Sequence, residues 1–328
     1  MLDKCVKNRW CWNFFVCALV AVFCFVMIFF AGCAQSQSLF EPHKGTKGIS
    51  VSFFDNMPAD EVYENSAFDI GLDIRNDGAD DVDNVRFNVE AERKLIEIVS
   101  GSPFFVSLKG RSIESPVGGN VIKTVSVRSD KIIASEEYDT NLRVSYCYPY
   151  RTVFSAPVCI DPDVAGRKAD KPELCKKKEF SFYGGQGAPV AVVKMSVQMI
   201  PKEDGVEPGF SFEVENSGAG HVIPVDDSSI ANACSAAGIP SDVLGVIEIA
   251  GADFGGDDSK LVCSKSKLRT PEKKDSETEY SSERAVVRCT GSIIPYTKEA
   301  YVSYVSAELK YGYQDSVGKE VKIIKEVS

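Results

Sequence analysis

Phe68-Asp-Ile-Gly-Leu-Asp-Ile-Arg75, followed by Asn76-Asp-Gly78-Ala79, is the stretch that decides the fold. Phe68, Ile70, Leu72 and Ile74 alternate with polar or small residues, and alternation at period two marks a strand with one buried face. The run stops at a turn of Asn and Gly, residues that tolerate positive φ. The same device returns 140 residues later as Phe212-Glu-Val-Glu-Asn216-Ser-Gly218-Ala219. A second echo pairs Val144-Ser-Tyr146-Cys-Tyr148 with Leu309-Lys-Tyr311-Gly-Tyr313.

Working outward, Val85, Phe87 and Val89 alternate in the same way, as do Val121, Val125 and Val127, then Leu142, Val144 and Tyr146, then Thr152, Phe154 and Val158. Clusters of Pro, Gly, Asn and Asp separate these runs, and no long segment after residue 33 shows clean 3.6-residue periodicity. The expected class is all-β: two tandem immunoglobulin-like β-sandwich domains after an N-terminal hydrophobic anchor helix. The first sandwich spans 47–160 and the second 188–328, each of a size for roughly seven strands. The intervening 161–187 is rich in Lys, Pro and Gly and has linker composition. No Trp occurs beyond Trp12, so the buried strand tryptophan of antibody domains is missing.

At the N-terminus, an uncharged apolar run from Phe14 to Ala31 follows Lys4, Lys7 and Arg9. Its length is at the threshold for spanning a bilayer, and the flanking charges put residues after Cys33 outside the cytoplasm. Residues 1–33 form this signal or anchor segment and 34–46 a stalk. Phe30-Ala31-Gly32-Cys33 resembles a lipobox, with Phe30 where Leu is usual, so Cys33 is a lipidation candidate. An uncleaved signal-anchor helix is the other reading, and a soluble secreted product the third.

The exported part carries 34 Lys and Arg against 46 Asp and Glu, a formal charge of −12. Nucleic acid and anionic surfaces repel such a chain on average, so no nucleic-acid partner is expected. Six cysteines lie beyond Cys33, an even number in a compartment that permits disulfides. Cys159 and Cys175 bracket the start of the linker, and Cys263 and Cys289 end two strand-like runs that could face each other. Cys147 and Cys234 then remain, either as a staple between the domains or as free thiols. None has the close spacing of a zinc or redox motif.

The order Val62-Tyr-Glu64, Phe68 to Ile74, Asn76-Asp-Gly-Ala79 and a valine strand at Val85 resembles the CARDB group of immunoglobulin-like domains of bacterial and archaeal surface proteins. The second half is similar to a lesser degree. Cys147-Tyr-Pro-Tyr150, Val158-Cys-Ile160 and Gly184 to Val190 resemble stretches of uncharacterised membrane-anchored archaeal proteins. The resemblance implies an adhesion-type fold and brings no catalytic residues.

Chemistry is sparse. The acidic cluster Asp73, Asp77, Asp80, Asp81 and Asp83 with Asn76 invites a calcium reading, but an EF-hand register puts Arg75 at a ligand position and supplies no bidentate Glu. Asp253, Asp257 and Asp258 do no better, and no metal or cofactor is expected. His43 and His221 are the only histidines, and no GxSxG, HExxH or phosphate-cradling motif occurs. Two charged loops remain: Arg167, Lys168, Lys171 and Lys176 to Lys178 in the linker, and the polar insertion from Lys265 to Arg284. The sequence therefore reads as a non-enzymatic, membrane-anchored, extracytoplasmic module for binding, adhesion or envelope scaffolding. Its partner would be a protein or a surface glycan. The alternative is a structural spacer or accessory subunit of a membrane complex.

Overall fold

The computed structural model describes residues 41–133, 135–166, 173–235, 239–255, 260–271 and 285–326. The apolar segment with Cys33, stalk residues 34–40, Arg167, Lys168, Lys171, Asp257, Asp258 and positions 272–284 of the polar insertion lie outside them. Residues Glu41–Ser328 make one compact unit.

The chain is all-β. The first half supplies β1 (Ile49–Phe53), β2 (Glu61–Tyr63), β3 (Ala67–Asn76), β4 (Val82–Glu90), β5 (Ile96–Ser100), β6 (Phe104–Leu108), β7 (Asn120–Ser129) and β8 (Glu137–Ile160). The second supplies β9 (Glu179–Ser181), β10 (Val190–Pro201), β11 (Gly205–Asn216), β12 (His221–Ile223), helix α1 (Asp227–Ala233) and β13 (Val246–Phe254). It continues with β14 (Val262–Cys263), β15 (Lys267–Arg269), β16 (Ala285–Thr290), β17 (Ile294–Pro295) and β18 (Tyr301–Ile324).

The strands build three sheets, and two are small. One runs β1-β3-β7-β5 and the other β14-β16-β11-β10-β9, with β17 beside β11. The third, in the order β15-β13-β18-β8-β4-β6, takes strands from both halves. Each small sheet packs on this shared sheet in sandwich fashion. Strand roles repeat: β3 lies between β1 and β7 as β11 lies between β10 and β16, while β4 lies between β6 and β8 as β13 lies between β15 and β18.

At the centre, β8 and β18 pair antiparallel over 24 residues, from Glu137↔Ile324 to Ile160↔Tyr301. At about 3.3 Å per residue this ladder is close to 80 Å long. β4 leaves β8 after Cys147, and β13 meets β18 only between Val305 and Lys310. Each long strand thus completes its own half first and then runs on into the other. Phe154 of β8 packs edge-on against Phe182 and Phe212 of the second half. Val321 and Ile323 of β18 are fully buried where that strand pairs with the first residues of β8 and with β2. The halves are joined by this exchange of strand ends, and not by residues 161–187 alone.

The sequence divides β8 at Pro149, reading Leu142–Tyr146 and Thr152–Val158 as separate runs. Both Pro149 and Pro157 lie inside the strand, opposite Gly312 and Tyr304. They stand eight residues apart, so their missing N–H groups fall on one edge of β8, beyond the point where β4 stops. Proline is tolerated at such an edge because no ladder bond is lost.

Alternation along β8 sets the two faces of the shared sheet. Every even-numbered residue from Thr140 to Ile160 is buried, while Arg143, Arg151, Val153, Ser155 and Pro157 are exposed. Along β18 the buried parity is odd, from Val305 to Tyr313 and again at Val321 and Ile323. Both small sheets therefore cover the same face. The opposite face is open except near Cys147, Gly312 and Gln314.

Candidate functional site: the two faces of the shared sheet

On the covered face, five tyrosines gather at the middle of the long ladder, and burial raises the hydroxyl pKa of each above the ordinary value. For Tyr146 and Tyr313 the nearby Asp315 adds to the effect. Perturbed groups often mark catalytic sites, yet four of these hydroxyls have a structural duty. Ile49 N–H donates to Tyr148 Oη (3.1 Å) and Val190 N–H to Tyr311 Oη (3.3 Å), at the starts of β1 and β10. Asp80 N–H donates to Tyr150 Oη (3.3 Å) and Gly220 N–H to Tyr313 Oη (2.8 Å).

The two Asn turns are built alike. Asn76 Nδ2 donates to Asp80 O (2.8 Å) and its Oδ1 accepts from Gly78 N (3.0 Å); Asn216 Nδ2 donates to Gly220 O (2.8 Å) and its Oδ1 accepts from Gly218 N (3.2 Å). Tyr150 serves the first turn as Tyr313 serves the second, and Tyr148 matches Tyr311. The sequence echo that aligns Tyr148 with Tyr313 is therefore offset by two residues. A shift of two keeps every side chain on its face, so the pattern alone cannot detect it.

The segment at 42–48 enters on this same face. A side chain at Gly48 would meet Tyr148 Oη at 2.7 Å. Gly45 N–H donates to Gly184 O (2.6 Å), and its carbonyl accepts from Gly187 N (2.8 Å) and Ala188 N (3.3 Å). Arg111 reaches across to the carbonyls of Pro42 and Lys44. Residues 41–46, read as the end of a stalk, are thus sewn to the body of the protein.

The open face carries α1 and its disulfide. The described structure contains three bonds, Cys147–Cys234, Cys159–Cys175 and Cys263–Cys289. Cys263 and Cys289 stand directly opposite each other across β14 and β16. Cys147–Cys234 ties β8 of the first half to the C-cap of α1 in the second. Both sulfurs are buried with Ile223, Ile230 and Ala233, in a small cluster apart from the main core.

Helix α1 has no 3.6-residue apolar stripe long enough to be seen in sequence, and a seven-residue helix depends on tertiary contacts. Its one local signal is the N-cap. Asp226 accepts from Ser229 N (2.9 Å), Ser228 Oγ (2.5 Å) and Ser229 Oγ (2.7 Å). These hydrogen bonds, Ser228 foremost, lower its pKa to about 2. Gly312 makes room beneath the helix, since a Cβ there would meet Pro224 O at 2.6 Å and Ile223 Cγ1 at 2.7 Å, so the helix entry would have to shift.

Beside α1, the Arg86 guanidinium stacks over exposed Phe105 with 5.6 Å to the ring centroid. Arg86 Nε is buried without a hydrogen-bond partner, while the Arg86 carbonyl accepts from Cys234 Sγ (3.4 Å). A cation over an aromatic ring, next to a disulfide-held helix, is a rigid surface able to grip a partner.

Four of the five aspartates of the acidic turn, all but Asp83, are engaged in ion pairs or by a hydroxyl. Asp73 pairs with Arg75 (2.5 Å), Asp80 with Arg151 (2.7 Å), Asp81 with Lys109 (2.6 Å), and Asp77 accepts from Ser50 Oγ (2.6 Å). Among the described residues no group of three His, Cys, Asp or Glu could hold a metal ion. His43 and His221 are both exposed, the first on the entering segment and the second at the start of β12. No helix among the described residues is long and apolar enough to cross a membrane.

No protein-family model matches the chain. No curated protein matches it. Among solved structures, it shares 9% identity and a TM-score of 0.21 with the secreted serine protease VesC from Vibrio cholerae, over 80% of this chain and 50% of that one. With the C-terminal domain of the Streptococcus agalactiae AgI/II polypeptide BspA it shares 10% identity and a TM-score of 0.18, over 84% and 97%. The chain spans half the length of the first. Likenesses this distant carry no functional weight.

Proposed function

We propose that the protein is a non-enzymatic, membrane-anchored platform outside the cytoplasm. In this reading, two immunoglobulin-like sandwiches of CARDB type exchange strand ends to make one stiff body, which the apolar segment ending at Cys33 holds to the membrane. One observation supports it above others. The chain enters over the middle of the long ladder, beside Tyr148, on the face opposite α1. A spacer would be attached at an end of its long axis, whereas attachment at the middle leaves a whole face free to present. The partner is a protein or a surface glycan, met by the face around α1, Arg86 and Phe105.

The test places a photo-crosslinking amino acid in the full chain, in its native membrane, at Phe105 or Ser228 on the α1 face. The comparison positions are Thr124 and Asp69 on the outer side of β7 and β3. Adducts of one mass confined to Phe105 and Ser228 are expected. Equal labelling at all four positions, or none at any, would refute a dedicated binding face.

A further inference from the structure

The entering segment is ringed by apolar side chains that the fold leaves in water. Among the described residues the five most exposed large apolar side chains are Ile133, Tyr183, Ile113, Val262 and Val117. Three of them, Tyr183 (87%), Ile113 (81%) and Val117 (68%), lie on the two segments that hydrogen-bond to residues 42–45. This concentration calls for a cause, since exposed apolar residues are ordinary only when scattered.

Neither segment is loosely held. In the loop 109–119, Gly110 N–H donates to Asp81 Oδ1 (2.9 Å), Arg111 N–H to Gly78 O (2.7 Å) and Gly119 N–H to Lys109 O (2.7 Å). An inner turn closes the tip, with Ser112 N–H bonded to Ser115 O (3.0 Å) and Gly118 N–H to the same carbonyl (3.2 Å). On the other segment Phe182 packs edge-on against Phe154 at 4.8 Å, which directs the neighbouring Tyr183 outward. The apolar tips are therefore held out by a rigid base.

Chain length says what covers them. Seven residues, 34–40, lie between Cys33 and Glu41, so the eight steps from one to the other reach at most about 28 Å when fully extended. The surface around Pro42 is thus the part of this body that an apolar anchor ending at Cys33 keeps nearest to a bilayer. Its chemistry suits a zwitterionic interface: a tyrosine, two aliphatic side chains, Lys44, Lys47, Lys109 and Arg111 around them, and one exposed carboxylate in the loop, Glu114, in an otherwise acidic protein. Glu41 and Asp81 pair with Lys44 and Lys109.

We infer that the loop 109–119 and the turn at Tyr183 form a lipid-contacting surface, with Ile113, Val117 and Tyr183 seated in the headgroup region of the membrane. This rests on the membrane-anchored reading above. Two contacts beside the anchor set the orientation of the body, so that the α1 face points away from the bilayer.

The test uses the full chain with Trp10 and Trp12 replaced by Phe, reconstituted into phosphatidylcholine vesicles whose acyl chains carry bromine close to the headgroups. Single reporters are I113W, V117W and Y183W, with I133W and V262W as equally exposed controls. Reporter emission is expected to shift to the blue and fall about twofold or more, as for an interfacial residue, while the controls stay unquenched. Co-flotation with the vesicles is read on the same samples. Flotation with unquenched reporters would overturn the lipid-contacting surface and leave the anchor standing. Failure to float would overturn both.

Discussion

Replacing Cys147 and Cys234 together by alanine should cost the protein more than removing any other single cross-link. The bond spans 87 residues of sequence and is buried at both ends. Loop-closure entropy for that length comes to roughly 4.6 kcal/mol at 25 °C, against about 3 kcal/mol for the 16-residue separation of Cys159–Cys175. For the unit Glu41–Ser328, an unfolding entropy of ~2.1 cal/mol/K per residue gives ~0.6 kcal/mol/K, so the Tm should fall by about 8 °C. Far-UV circular dichroism during thermal and urea unfolding measures this. Hydrogen exchange supplies the spatial half: amides of α1 should lose protection well before those of β3 or β11, because only the small cluster around Ile223, Ile230 and Ala233 would still hold the helix. A double variant within about 1 kcal/mol of the parent, with α1 still protected, would refute the view that this disulfide fastens the second half's insertion to the first half.

Gly312→Ala should destabilise by about 1–3 kcal/mol through overpacking under α1, while Gly251→Ala, where a Cβ meets nothing within 4 Å, should stay within about 0.5 kcal/mol; urea titration separates them. Tyr148→Phe and Tyr311→Phe should each cost about 1–3 kcal/mol, since each strands a buried backbone N–H, at Ile49 and Val190. Because burial raises the pKa of these tyrosines above that of the unfolded chain, their contribution is fully present below about pH 10 and is lost as pH rises beyond it. Phenolate absorbance of the buried set should therefore appear together with alkaline unfolding and not before. Asp226→Ala should weaken α1 by about 1 kcal/mol. With a folded pKa of about 2, lower than in the unfolded chain, the cap is intact above about pH 4 and fades as pH falls toward 2, which hydrogen exchange at Ser229 and Ile230 would report.

What the residues determine by themselves is the face on which each side chain stands. The period-two runs at Phe68–Ile74 and Leu142–Tyr146 identify strands and their inward sides, because the pleat turns alternation directly into burial. The Asn turns at 76–79 and 216–219 were legible because each Asn side chain bonds locally, its Oδ1 accepting from the glycine N–H two residues on. The positive φ expected of them is absent, and Gly78 and Gly218 are required instead by the close approach of Tyr150 and Tyr313 from distant strands. The facing of Cys263 and Cys289 could be suggested because both end strand-like runs.

Which strand lies beside which is a different kind of information, and only the tertiary structure decided it. Alternation is unchanged when a strand slides by two residues or acquires a new neighbour, so neither the offset of Tyr148 onto Tyr311 nor the continuation of β8 through Pro149 into the second half could be read beforehand. Helix α1 is too short to show a period and owes its existence to Gly312 and Cys147, supplied from strands distant in sequence. The side of the shared sheet on which the chain enters, and hence which face stays open, follows from packing between Gly48 and Tyr148, 100 residues apart in the chain.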